Sequence, residues 1–335
     1  VLGTGLNTTL RPDTSNTLDT NGNLYGYTSL FNDDGFTVVN GSSGGHRVNA
    51  SGNDYVAWCW KAGGSKDTFN IDDTGYSTAA AAGLTAGTIN PSAASIGTKS
   101  GFAILKYVGN STAGATIAHG LGKAPDFVLY KSLDSGYHWA VYHRHMTSAD
   151  YAMQLNNTGH EVNTWNYFND TDPTSTLLTL GDDAGINSGD NYIINAWTSI
   201  EGLSKFGSYT GNGQQKHFVY LGFRPRLIIV KRSVPNSSPD TSTNYPSWTI
   251  MDSARLSYNG MTPNHLFANH NEPEGYRGNG SATSGLTDMT MEPVSNGFYL
   301  NGPGSEVNAS TGTYIYLAWA EAPFQNLYGA QSNAR

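Results

Sequence analysis

The chain has 335 residues, enough for two or three domains and a sizeable core, and carries a net charge of −8. Charged residues are only 13% of it while Gly (40) and Tyr (20) are abundant, a turn-rich, β-forming, extracellular-type composition that argues against a helical cytosolic enzyme. The negative balance argues against nucleic acid and anionic membranes as partners, the 12% aromatic content argues against a disordered chain, and no stretch reads as a membrane span or a signal peptide.

Residues 1–34 are polar and turn-rich, with too few apolar positions for a complete β-module. Gly35-Phe36-Thr-Val-Val39 then reads as a strand, Gly41-Ser-Ser-Gly-Gly45 as a loop, and Tyr55–Trp60 as a second strand. Residues 1–64 are therefore expected to be the back half of a module whose front half is missing or lies in another segment. Residues 65–100, rich in Ala, Gly, Ser and Thr, read as a connector in which Thr68–Ile71 is strand-like and Ala79–Ala82 makes no more than a helical turn.

A first full module spans 101–203 and a second spans 204–335. Phe102–Tyr107 is followed by Gly109-Asn110, and Phe206–Tyr209 by Gly211-Asn212. Gly122-Lys-Ala-Pro125 leads to Phe127-Val-Leu-Tyr-Lys131, and Gly222-Phe-Arg-Pro225 leads to Leu227-Ile-Ile-Val-Lys231. These strands are apolar on both faces, with Pro placed ahead of them because it cannot donate to a ladder. Aromatic strands Trp139–Tyr142 and Trp248–Met251 come next, then a divergent loop.

Each module closes on the same strand, in which Trp follows Tyr by five residues: Tyr55/Trp60, Tyr192/Trp197 and Tyr314/Trp319. The residue before the Trp is small each time (Cys59, Ala196, Ala318), so Cys59 is expected to be a buried core residue. An odd offset puts Tyr and Trp on opposite faces, and repetition assigns these six residues to packing between sheets. The expected fold is all-β: tandem antiparallel β-sandwich (jelly-roll-like) modules, each with its own core.

Tyr55-Val-Ala-Trp-Cys-Trp-Lys-Ala-Gly-Gly64, Ala115-Thr-Ile-Ala-His-Gly-Leu-Gly-Lys-Ala-Pro125 and the ending Ala320-Glu-Ala-Pro-Phe324 through Asn333-Ala-Arg335 resemble large virion structural, tail-fibre-like proteins of tailed bacteriophages, especially marine ones. The resemblance implies a place on the virion surface as a fibre, spike or decoration, other virion proteins as partners, and a homo-oligomer, a trimer by analogy with fibres. It carries over no catalytic residue.

The chemical motifs are weak. Gly41–Gly45 has the spacing of a nucleophile elbow without the strand-turn-helix setting. Asn271-Glu272-Pro273, with Glu274 and Glu292 nearby, resembles a glycosidase acid/base triplet outside its barrel. His143 and His145, with His138 nearby, can hold a metal only if a third ligand approaches. Acidic turns at Asp33-Asp34, Asp72-Asp73, Asp170/Asp172 and Asp182-Asp183 offer oxygens to Ca²⁺ without an EF-hand spacing. The divergent loops are richer: Trp165, Tyr167 and Phe168 in the middle module, and Tyr258, His265, Phe267, His270 and Tyr276 in the last, are candidate contacts for a host surface glycan or for another protomer. The expected function is a non-enzymatic structural protein, with an adhesin as second reading and a depolymerising tailspike as third.

Overall fold

The computed structural model describes residues 7–32, 35–43, 48–234, 246–255, 265–274 and 290–322. They are all-β apart from two single-turn helices. The first, α1 (Gly22–Tyr25), precedes a hairpin of β1 (Tyr27–Phe31) and β2 (Phe36–Val39). Next come β3 (Phe69–Ile71), β4 (Thr74–Tyr76) and β5 (Ala93–Gly97). The middle copy contains β6 (Phe102–Val108), β7 (Ala115–Ala118), β8 (Phe127–Ser132), β9 (Ala140–His143), β10 (Met153–Gln154), β11 (Leu177–Leu180), α2 (Ala184–Asn187) and β12 (Asn191–Trp197). The last contains β13 (Ser204–Thr210), β14 (His217–Tyr220), β15 (Pro225–Val234), β16 (Thr249–Asp252), β17 (Leu266–Phe267), β18 (Thr290–Val294), β19 (Gly297–Asn301) and β20 (Thr313–Ala320).

The two complete copies share one topology. The order β10-β9-β8-β12-β6 in the middle copy matches β17-β16-β15-β20-β13 in the last, and the pair β11-β7 matches β19-β14. The signature strand is central each time, β12 between β6 and β8 and β20 between β13 and β15. Its Tyr face closes a sandwich: Tyr314, Tyr316 and Ala318 pack with Ile228 and Val230 of the same sheet against Val219, Phe298 and Leu300 of the other.

Polar staples repeat as well. The Asn187 amide donates to the carbonyls of Thr112 and Gly181 and accepts from the Asn110 N–H; the Asn308 amide does the same with Gln214, Gly302 and Asn212. The Tyr192 hydroxyl accepts from Ser188 N–H and donates to Ala184, and Tyr314 repeats this with Ala309 and Ser305. Each staple satisfies backbone groups that the turn before the signature strand would otherwise bury unpaired.

Three expectations need correction. Segment 65–100 is not a connector: β5 pairs with β6, β3 pairs with β5 in parallel and with β4, extending the middle sheet to eight strands. Small residues such as Ala94 and Ser95 let this backbone lie flat against the sheet, a burial that apolar patterning does not announce. Secondly, Tyr55–Trp60 forms no strand pairing: among the described residues no counterpart of β6 or β8 lies beside it. Tyr55 is 50% exposed where Tyr192 and Tyr314 are fully buried, though its hydroxyl still accepts from Ala50 N–H as Tyr314 does from Ala309. Cys59 is exposed for the same reason.

Thirdly, the copies do not have separate cores. The Trp face of the last copy, with Phe206, Ile315 and Leu317, belongs to the same apolar cluster as the middle copy, and Ile229 and Trp319 pack against it. The three signature tryptophans meet at one point: ring centroids lie 6.1 Å apart for Trp60–Trp197, 5.2 Å for Trp60–Trp319 and 6.4 Å for Trp197–Trp319, all edge-on. Phe102 and Phe127 stack on Trp197, and Phe206 meets Trp319. Edge-to-face pairs of this kind add about 0.5–1.5 kcal/mol each beyond burial. The Tyr face makes a copy; the Trp face joins the copies.

Candidate binding cleft at the first junction

Neighbouring copies are joined by repeated contacts. The Trp139 indole N–H donates to the Arg11 carbonyl (2.9 Å), and the Trp248 indole to Gln154 (3.1 Å). Leu18 N–H donates to Leu133, and Glu161 N–H to Ser233. The bridges Thr9–Asp19 and Ala152–Val162 fall at the same spacing. Residues 9–19 thus play for the middle copy the part that 152–162 play for the last, each laid across the Trp face of the following copy.

The two junctions differ in what fills them. At the second, Trp248, the counterpart of Trp139, is fully buried in the shared core, with Ile229 packed against it. The signature strand contributes Leu317, also buried. At the first, Asn195 stands at the position of Leu317 and is only half-buried. The result is a cleft of about 360 Å³. Trp139, Tyr25, Tyr27 and Phe31 supply its aromatic surface, and Asp19, Asn21 and Asn195 its polar one. A register shift between Thr28 and Leu30 bulges β1 beside the cleft, a device that re-aims side chains at sites. Phe31, 56% exposed, stands at the rim. Asn21 starts α1 without a side-chain cap bond, and the Asn195 amide makes no hydrogen bond among the described residues, so both amides are available to a guest.

The sequence-derived candidates fall elsewhere. Tyr167 and Phe168 are core residues of the middle copy itself, Phe168 against Tyr130 and Tyr142 and the Tyr167 hydroxyl accepting from Gln154, with Trp165 half-buried against Tyr167, so these three do not form an outer surface. His265 and Phe267 are likewise buried. Half-buried His270 is bonded to Ser247 and Asn269, and burial lowers its pKa. Tyr258 and Tyr276 lie outside the described residues. Loop position suggested exposure, but Phe168 and Phe267 turn into the copy that carries them, which divergence between modules does not reveal. A readable signal did exist: Asn195 is polar where the aligned signature has Leu.

His143 is buried beside Phe127 with its pKa lowered to about 3, mainly by desolvation, and donates nothing to a metal cluster: among the described residues no three His, Cys, Asp or Glu gather. Asp72 accepts from Thr98, Asp73 pairs with Lys61, Asp172 accepts from Tyr142, Asp182 from Asn166, and Asp183 caps α2. Asp33 and Asp34 lie outside the described residues. Glu272 lies 3.8 Å from His270 and Glu274 is 2.8 Å from Arg255.

Comparison with known families settles one point. The chain belongs to the DUF7483 family. That family, described as a domain of unknown function, matches residues 4–323, so the incomplete first copy and both complete ones form one family unit. No curated protein and no solved structure matches the chain. Among the described residues, no helix is long and apolar enough to cross a membrane.

Proposed function

We propose that the protein is a non-enzymatic structural component of a virion exterior, a fibre, spike or decoration whose partners are other virion proteins and further copies of itself. The observation that carries this reading is the tryptophan hub. Three copies share one apolar core at their Trp faces, an arrangement suited to a durable outer part and consistent with the phage-like phrases of the sequence. The test is imaging: antibody raised against the purified chain should label the surface of intact particles. Purified particles that lack the chain would sink the proposal. Light scattering on the purified protein checks the homotrimer that fibre resemblance suggests.

A second reading, an adhesin that grips a host surface polysaccharide, is favoured by the open cleft at the first junction, where the second has buried Leu317. Hydrolysis of such a polymer needs two facing carboxylates, and Asp19 is the one acid in the described lining, so the cleft supports holding a sugar better than cutting it.

A further inference from the structure

We propose that the first-junction cleft binds a neutral pyranose unit of a polysaccharide, with Asn195 as the residue that selects it. The inference rests on the adhesin reading and names the ligand chemistry of its site.

The chain contains its own control. Two junctions are built from the same strands, the same indole-to-carbonyl bond and the same backbone contacts, so the differences between them are differences of content. At the second junction the position of Asn195 is held by buried Leu317, in the shared core with buried Trp248 and Ile315. At the first, a polar amide replaces buried Leu317, and the space left is at the small end of the range of sites that enclose small molecules, about 300–1,000 Å³. A half-buried amide without a protein partner costs stability unless a guest or water satisfies it. It sits at the heart of a family unit where the equivalent side chain closes the core.

The lining states the class of guest. Aromatic faces at Tyr25, Tyr27 and Phe31 present π-surface to the C–H side of a sugar ring. The amides of Asn21 and Asn195 each offer a donor and an acceptor, the pattern that reads adjacent ring hydroxyls. Thr8, Thr9 and Thr28 add hydroxyls. Among the described lining residues there is no Lys or Arg and Asp19 is the one charged group, a balance that disfavours sialic acid, uronic acid and phosphate as guests. A neutral hexose fits aromatic, amide and charge character together.

The test uses the full chain. Titration by NMR or calorimetry against a panel of neutral and anionic oligosaccharides should give saturable binding to neutral members alone, with intensity changes in the Trp139 indole signal. Asn195→Leu, which copies the second junction, should lower affinity at least tenfold and leave thermal unfolding unchanged or raised. Phe31→Ala, at the exposed rim, should weaken binding less and keep the fold intact, so that lost binding is not mistaken for lost structure. Preference for anionic sugars, no binding to any sugar, or unchanged binding by Asn195→Leu overturns the proposal. Adsorption to host cells is read separately. Adsorption that survives Asn195→Leu sinks this site while sparing the adhesin reading, and sugar binding without adsorption does the reverse.

Discussion

The signature strand of the last copy and its counterpart in the first have almost the same pattern and opposite surroundings. Tyr314 is fully buried in the middle of a five-stranded sheet, while Tyr55 is half exposed on a stretch with no ladder on either side. Likewise Phe298 of β19 is a core ring, and Phe36, its counterpart after the matching Gly, is 38% exposed. The difference teaches that the Tyr side of the signature depends on strands supplied by the front half of a module. The Trp side does not: Trp60 reaches the hub as closely as the other two.

The sharpest way to break this comparison is at the hub. Trp197→Ala should cost about 3–5 kcal/mol in chemical denaturation, since it removes a large ring packed by Phe102 and Phe127. Trp60→Ala, from a half-buried site, should cost about 1–2 kcal/mol; equal losses would mean that the first copy is as firmly set as the others. Next in size, Asn308→Ala should cost about 3 kcal/mol by stranding the groups its amide joins, whereas the same change at Asn49, the matching position of the first copy, should cost less than about 1 kcal/mol.

A smaller effect is in pH. Lys131 and Lys231 occupy matching positions on β8 and β15, are buried, and hold their amines on carbonyls: Ser132 and Ser135 for one, Arg232 and Thr158 for the other. Desolvation lowers their pKa to about 8 and about 7. Between these values and about 10.4 the unfolded chain binds more protons than the folded one, so stability should rise with pH from 7 to 9.5. Buried His143, neutral in the folded state, adds a fall in stability as pH drops from about 6.5 toward 3. Thermal unfolding of Lys231→Met across pH 7–9.5 should show a flatter profile than the parent; an identical slope refutes the assignment. The mildest prediction is chemical: exposed Cys59 should react with a thiol reagent in the folded protein at no cost in melting temperature, where a buried thiol would stay silent.

The repeat itself was legible from the chain. In the two complete copies the Tyr/Trp spacing and the small residue before each Trp found their expected places, and Pro125 precedes β8 while Pro225 opens β15, because alternation and turn chemistry are local. The eight-stranded extension was only partly legible: Thr68–Ile71 read as a strand, but β3, β4 and β5 are short and their place beside β6 depends on a distant neighbour. Alternation also put Tyr and Trp on opposite faces, without saying that the Trp face of one copy meets that of the next. The loop aromatics were misread because loop position alone does not show that Phe168 turns inward onto Tyr130 and Tyr142 of its own copy. The cleft escaped notice although Asn195 breaks the aligned signature; one polar letter in an apolar column carries little weight until its surroundings are seen.

Joining the copies through the Trp faces has a consequence for how such a gene can change. A boundary cut near residue 203 would separate two pieces that each bare a broad greasy side, so recombination that trades single repeats would yield sticky, poorly folding products. Inheritance should therefore pass the threefold set on as one block, with novelty arising by divergence at the junctions within it.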